Sequence, residues 1–133
     1  MELPIRLSQD SREPIYHQIE HQLKALIAGG HLPAGTSLPS IRALSKDLEI
    51  SVITIRRAYQ NLEIQGFIKT IQGKGTFVAE VNESLKQEVK VSSVKKTIEN
   101  AVQTALNYHY SIEQIKDIFD QVLDTYRDQE KED

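Results

Sequence analysis

The chain of 133 residues contains no cysteine and no tryptophan. Without cysteine, a disulfide framework and a thiolate zinc site are both excluded, which fits a reducing compartment. No apolar run reaches membrane-spanning length, and the N-terminus MELPIRLSQD lacks the basic and apolar regions of a signal peptide. We therefore expect a soluble, cytoplasmic protein with no membrane partner.

Positive charges are slightly outnumbered by negative ones, 16 Lys/Arg against 19 Asp/Glu, and both are unevenly distributed along the chain. The formal net charge is −3. Residues 81–133 hold seven Lys/Arg against eleven Asp/Glu, whereas residues 36–78 hold six against three. Because salt screens charges beyond about 8–10 Å, local charge governs docking. The acidic total therefore does not exclude a nucleic-acid partner.

Two short helices joined by a tight turn are predicted within residues 38–62. Ser40 and Ser51 are suitable N-caps, because a hydroxyl accepts from the free backbone N–H groups of a first turn. Apolar residues follow each cap at helical spacing. They are Ile41, Leu44 and Leu48 in the first helix and Ile55, Ala58, Tyr59 and Leu62 in the second. The arrangement is typical of a helix-turn-helix whose second helix reads DNA.

The outer face of that second helix carries side chains suited to a DNA groove. Guanidinium groups bind guanine or phosphate, amides and hydroxyls bind base edges, and a methyl group contacts thymine. The predicted contacts on this helix are Ser51, Ile53, Thr54, Arg56, Arg57 and Gln60. The alternative is that each arginine is an ordinary solvated residue and the isoleucine an isolated exposed apolar residue. The prediction of DNA contact therefore depends on the motif as a whole.

A glycine-rich hairpin is predicted directly after the second helix. Residues 67–71 and 76–79 have strand patterns, and QGKG joins them. Glycine lets a backbone approach a ligand closely, and one lysine gives the tip a positive charge. We predict a DNA-binding wing that uses Gly73, Lys74 and Gly75, with a plain hairpin turn as the alternative.

The first helix, predicted to end at a Gly-Gly pair, raises the question of a metal site. His17 and His21 lie one turn apart, but the metalloprotease motif requires Glu where Gln18 stands. No third ligand is evident beyond the distant His31 or His109. We therefore expect no metal site. No nucleophile–base pair or phosphate loop is present either, so we expect neither an enzyme nor a cofactor.

The remaining residues, 81–133, predict two helices in a hairpin. One covers residues 82–108, and the other starts at a capping box of Ser111 and Gln114 and frays from Arg127. Their apolar positions repeat with heptad-like spacing, and two helices alone cannot close a core. We predict a dimer interface that consists of Ile98, Ala101, Ala105, Ile115, Phe119 and Val122. Packing of the same stripe on the chain's own first domain is the alternative.

The fold class is thus mostly α with a small β wing. An N-terminal winged helix-turn-helix that binds DNA (residues 1–80) is followed by a C-terminal helical dimerisation region (residues 81–133).

Residues 13–78 resemble the DNA-binding domain of the gluconate-repressor (GntR) family of bacterial transcription regulators. The matching motifs are P-x-Y-x-Q-I, P-x-G-x-x-L-P-S-x-R, T-x-x-x-A-Y and G-x-G-T-F-V. The short two-helix tail resembles the YtrA-like subgroup, which lacks larger effector-binding domains.

The resemblance implies a homodimer that binds palindromic operator DNA, usually as a repressor, with genes often beside ABC-transporter genes. Arg42 matches an arginine that contacts DNA from the first helix of the motif. Thr54 and Arg56 match contacts of the reader helix, and Gly73 matches a position near the minor groove. Many members have arginine where this chain has Val52, so we expect a different operator.

We predict a homodimeric, sequence-specific transcription regulator that represses a transporter-type operon. The alternative is a winged helix used as a protein–protein interaction module, although the reader face lacks the aromatic anchors of a protein hot spot. Ligand pockets typically need about 300 Å³ or more, which two helices do not enclose. Any effector is therefore expected between protomers or to act through another protein.

Overall fold

A computed structural model describes residues 2–132 of the chain. The elements are α1 (Ile15–Ala28), α2 (Ile41–Leu48), α3 (Val52–Ile64), β1 (Ile68–Ile71), β2 (Gly75–Val78), α4 (Glu83–Asn107) and α5 (Ile112–Glu132). The predicted class, mostly helical with a small β wing, is confirmed.

The chain divides into two compact units, Met1–Ser93 (the winged-helix unit) and Val94–Asp133 (the tail unit). The first unit extends beyond residue 80, where the sequence pattern changes. The reason is that Val81, Leu85 and Val89 pack against its hydrophobic core.

The core of the winged-helix unit lies between α1, α2, α3 and the wing. Its most completely buried side chains are Ile19, Leu23, Leu44, Ile55, Leu62 and Val78. Burying one such side chain stabilises the fold by about 1.5–3 kcal/mol. The apolar stripes predicted for the two helices within residues 38–62 therefore face one common core, which α1 also lines.

The extended segment before α1 is fixed to that helix by two glutamine side chains one turn apart. The amide of Gln22 exchanges hydrogen bonds with the backbone of Arg6, at 2.8 and 2.7 Å. The amide of Gln18 does the same with the backbone of Ser8, at 2.8 and 3.0 Å. Side-chain amides thus satisfy backbone groups that would otherwise need a neighbouring strand.

The wing is a two-stranded antiparallel sheet in which Ile68 pairs with Val78 and Ile71 with Gly75. The chain before α2 adds a single bridge, Ser37 to Phe77. The backbone N–H of Leu38 donates to the carbonyl of Thr76 at 2.8 Å. The wing is therefore fixed to the segment that leads into α2.

The predicted helix caps are confirmed. Ser40 and Ser51 accept backbone hydrogen bonds at the starts of α2 and α3. Ser111 and Gln114 form the reciprocal capping box of α5, with bonds of 2.8 and 3.1 Å. The fraying of α5 expected from Arg127 stays a prediction. The helix runs to Glu132, and Arg127 forms a 2.9 Å ion pair along it with Asp124.

Candidate DNA-binding interface

A tyrosine of the reader helix α3 joins this helix to the segment that precedes α2. The hydroxyl of Tyr59, whose side chain is buried, donates to the backbone carbonyl of Pro39 at 2.7 Å. Burial raises the pKa of Tyr59 above its ordinary range, so the hydroxyl stays protonated and remains a donor. The turn between the helices places Glu49 in the left-handed region, with φ 57°. There the hydroxyl of Ser45 donates to the carbonyl of Ile50 and closes the turn.

Two further polar contacts hold the other sides of the reader helix. Glu20 of α1 is only 3% exposed, and it accepts from the side-chain amide of Asn61 of α3 at 2.5 Å. Glu63 accepts from the backbone N–H of Thr70 in β1 at 3.1 Å. Sequence reasoning missed both contacts. The spacing of residues along a helix indicates which residues share a face, but it does not identify the polar residues of other elements that contact this face. The reader helix is thus fixed to α1, to the segment before α2 and to the wing.

The outer face of α3 is accessible, as the sequence predicts. Ile53 is 77% exposed, and Arg56, Arg57 and Gln60 are exposed as well. Thr54 is partly buried, and its hydroxyl lies 2.9 Å from that of Ser51. Ser51 also accepts from the backbone N–H of Thr54. The main role of its hydroxyl is therefore to cap the N-terminus of α3.

The neighbouring arginines of α3 have different surroundings. The guanidinium of Arg57 lies over the ring of Tyr16 in α1, with its carbon 3.9 Å from the ring centroid. Among the side chains that the structure describes, no carboxylate lies within ion-pairing distance of Arg42, Arg56 or Lys74. Those three cations are exposed on α2, α3 and the wing tip, which leaves their charges available to an anionic partner.

The wing tip presents its lysine on a tight turn. The backbone N–H of Lys74 donates to the carbonyl of Ile71 at 2.9 Å. Gly73 and Gly75 on either side have φ of 80° and 124°, a conformation that glycine adopts without strain. A Cβ at either position would meet no atom within 4 Å, so the turn, rather than crowding within the chain, requires glycine there.

The six residues predicted to form a dimer interface differ in exposure. Ile98 and Val122 are 47% and 48% exposed, and Ala101 is exposed too. Ala105 and Phe119 are partly buried. Ile115 is only 6% exposed, so it is already covered within one chain and offers little surface to a partner. The heptad-like spacing alone did not distinguish it from its neighbours.

The expectation that no third metal-ligand candidate lies near the histidine pair is wrong. A carboxylate oxygen of Glu13 lies 3.1 Å from His17 Nδ1 and 3.3 Å from His21 Nδ1. The signal was in the sequence, since the three residues follow one another at intervals of four, a spacing that places side chains on one helix face.

No helix within residues 2–132 combines the length and the apolar character needed to cross a membrane.

Comparison with known proteins agrees with the geometry of the winged-helix unit. The profile of the family described as "Bacterial regulatory proteins, gntR family" matches residues 15–78. The HTH-type transcriptional repressor YtrA of Bacillus subtilis (strain 168) is 32% identical over 107 residues, which cover 80% of this chain and 80% of that protein.

Two solved structures of this family resemble the chain along most of its length. A GntR family transcriptional regulator from Listeria monocytogenes has a TM-score of 0.63 and 30% identity, covering 84% of this chain and 97% of that chain. YtrA from Sulfolobus acidocaldarius, a GntR-family transcription factor, has a TM-score of 0.52 and 30% identity, covering 91% and 97%. The chain therefore belongs to the gntR family and is a DNA-binding transcription regulator of the YtrA type, not an enzyme.

Proposed function

We propose that the protein is a homodimeric repressor that acts in the cytoplasm on a palindromic operator of a transporter-type operon. The observation that supports this most directly is the set of exposed cations without a carboxylate partner among the described side chains. Arg42, Arg56 and Lys74 lie on α2, α3 and the wing tip. Cations on these elements suit a duplex, whose backbone carries dense negative charge and whose major groove accepts a helix.

The direct contacts to DNA are assigned to the same elements. Arg56, Gln60 and Ile53 project from the exposed face of α3, where a groove offers base edges and thymine methyl groups. Lys74 on the wing is assigned to the phosphate backbone. Because Val52 replaces the arginine that many members of the family carry, the protein is expected to select a different operator.

The dimer rests on the apolar surface that the tail unit leaves exposed. Large apolar side chains on α5 that are at least 40% exposed are Ile112, Ile118, Val122, Leu123 and Tyr126. Exposed apolar side chains that together form a patch mark an interaction site on a soluble protein. A second copy covers it with like residues, as a twofold interface requires.

Repression and the transporter-type operon follow from the resemblance to the YtrA-like subgroup. The curated relative from Bacillus subtilis carries the name of a transcriptional repressor, and the match covers 80% of that protein. Any effector is placed between protomers or in another protein.

The test is enrichment of host genomic fragments by the purified full-length protein, followed by sequencing. We expect recovery of fragments that share one palindrome, and loss of that enrichment with Arg42→Ala, Arg56→Ala in combination. Lys116→Ala, which removes an exposed charge from the tail unit, is the matched control and should retain it.

Deletion of the gene should then raise the transcript downstream of the recovered palindrome. A fall in that transcript would indicate an activator instead. If no palindrome is enriched, a protein partner for the reader face becomes the better explanation.

A further inference from the structure

Glu13, His17 and His21 form a compact cluster that is separate from the residues proposed to contact DNA. The three residues each offer one ligand atom, and those atoms lie within 4.8 Å of one another. The imidazole rings of the two histidines are 4.3 Å apart between centroids. One carboxylate oxygen of Glu13 faces Nδ1 of both histidines, and this oxygen is itself buried.

The spacing of these atoms is that of ligands sharing one metal ion. Zinc bonds to histidine nitrogen and carboxylate oxygen at about 2.0–2.2 Å. Two neighbouring ligands of one such ion are then about 2.9 Å apart in an octahedron and about 3.4 Å apart in a tetrahedron. The observed oxygen–nitrogen distances of 3.1 and 3.3 Å fall within this interval. The ligand atoms of the two histidines lie within 4.8 Å of each other, so side-chain rotation must bring these two atoms together to admit an ion.

Hydrogen bonds to the backbone of Glu13 and the rigidity of α1 position the cluster without a bound ion. The side-chain amide of Gln18 donates to the carbonyl of Glu13 at 2.8 Å, and the backbone N–H of Glu13 donates to the hydroxyl of Ser11 at 3.1 Å. Both histidines are on α1, whose inner face is buried in the core. Ligands held on such a rigid element need little rearrangement to bind.

We propose that Glu13, His17 and His21 bind one divalent transition-metal ion, with water completing its coordination. Two imidazoles and one carboxylate suit Zn²⁺, Ni²⁺ or Co²⁺ better than Mg²⁺ or Ca²⁺, which prefer oxygen ligands. Side-chain exposures of 42% for His17, 38% for His21 and 20% for Glu13 leave a path for the ion to enter. The competing account is a carboxylate that pairs with two histidines and binds no metal.

The chain itself supplies good controls for the experiment. It has no cysteine and four histidines, so His31 and His109 are the histidines outside the cluster. Untagged full-length protein is titrated with Zn²⁺ by calorimetry in a buffer that does not chelate metals. We expect one ion per chain. His17→Gln, His21→Gln and Glu13→Gln should each weaken binding at least tenfold, because even changes behind a metal ligand cost about 10–100-fold. His31→Gln and His109→Gln should leave the affinity unchanged.

Two further measurements exclude an indirect effect through the fold. Circular dichroism checks that each variant retains the helix content of the parent chain. His21→Cys, studied under reducing conditions, should recover Zn²⁺ binding that His21→Gln loses, since a thiolate is a zinc ligand. Co²⁺ should give ligand-field absorption bands with the parent chain that His17→Gln abolishes. Absence of Zn²⁺ binding to the parent chain, or equal binding by the cluster variants, would overturn the proposal.

Discussion

The guanidinium carbon of Arg57 lies 3.9 Å from the centroid of the Tyr16 ring, and this contact separates the roles of two adjacent arginines. Tyr16 belongs to α1 and Arg57 to α3, so the pair joins the reader helix to its support. Arg56, one position earlier, has no carboxylate partner among the described side chains and faces solvent. We infer that Arg57 stabilises the domain and that Arg56 is the arginine available to DNA.

The first prediction concerns stability. Arg57→Ala should lower the free energy of unfolding by about 0.5–1 kcal/mol, the size of an exposed cation–π contact. Arg56→Ala should change it by less than about 0.5 kcal/mol, as is usual for a surface substitution. Urea denaturation measures both. Tyr16→Phe keeps a ring under the guanidinium and should preserve the contact, whereas Tyr16→Leu should not. Equal effects of the two arginine variants would show that the contact is energetically negligible.

The second prediction concerns operator reading. Arg56→Ala should weaken binding to the cognate palindrome by about 1–3 kcal/mol per protomer, while binding to unrelated DNA changes little, because a base contact carries specificity. Arg57→Ala should have the smaller effect on specific binding. Fluorescence anisotropy with cognate and scrambled duplexes measures both affinities. If Arg56→Ala loses the same free energy on both duplexes, its side chain holds a phosphate.

The third prediction concerns the wing. Lys74→Ala should weaken binding to cognate and scrambled duplexes alike. It should also reduce the slope of log affinity against log salt by about one for each lost phosphate contact. Titrations at several salt concentrations measure that slope, with Lys116→Ala of the tail unit as the control. A loss confined to the cognate duplex would place Lys74 on a base rather than on the backbone.

The fourth prediction follows from the buried hydroxyl of Tyr59. Its folded-state pKa is raised above the ordinary value of 10.0, so the folded protein keeps a proton that the unfolded chain releases. The resulting stability is fully present below pH 10 and declines as the pH rises above it, because the unfolded state then binds fewer protons. Urea denaturation from pH 8 upward measures the decline.

Tyr59→Phe provides the comparison for that experiment. It should lower stability at neutral pH by about 1–3 kcal/mol, since the carbonyl of Pro39 loses its donor in a partly buried place. It should also flatten the decline above pH 10. An unchanged alkaline slope would mean that another group causes the decline.

Helices and caps were predictable here because they depend on neighbours in sequence. Ser40, Ser51 and Ser111 form the caps that their positions predict. Contacts between elements were not predictable in the same way. The pairing of Asn61 with Glu20 joins residues 41 positions apart, and a single sequence carries no sign of it.

The same distinction holds for the candidate sites. The pattern identified the exposed face of α3, but it could not say that Arg57 lies over Tyr16 whereas Arg56 does not. It marked Ile115 as one of a stripe, although burial within the chain distinguishes that residue from Ile98 and Val122. Periodicity identifies a helix face, and tertiary packing decides which residues of that face remain exposed.

The last prediction is that the tail unit forms the dimer and that the dimer provides the operator affinity. One reader helix covers only a few base pairs, so a single protomer should bind weakly. Joining two protomers makes the second half-site contact intramolecular, which can raise avidity by about 10²–10⁴.

The variant that tests this is Ile98→Asp with Val122→Asp, because both side chains are about half exposed in the single chain, at 47% and 48%. Charges there should prevent apolar packing between copies without opening the core of the winged-helix unit. Sedimentation should show a monomer, and operator affinity should fall towards that of a single half-site. Gln103→Asp with Gln121→Asp adds the same charge at exposed polar positions of α4 and α5 and should stay dimeric. If the variant with Ile98→Asp and Val122→Asp remains a dimer with full operator affinity, the dimer interface lies outside these tail positions.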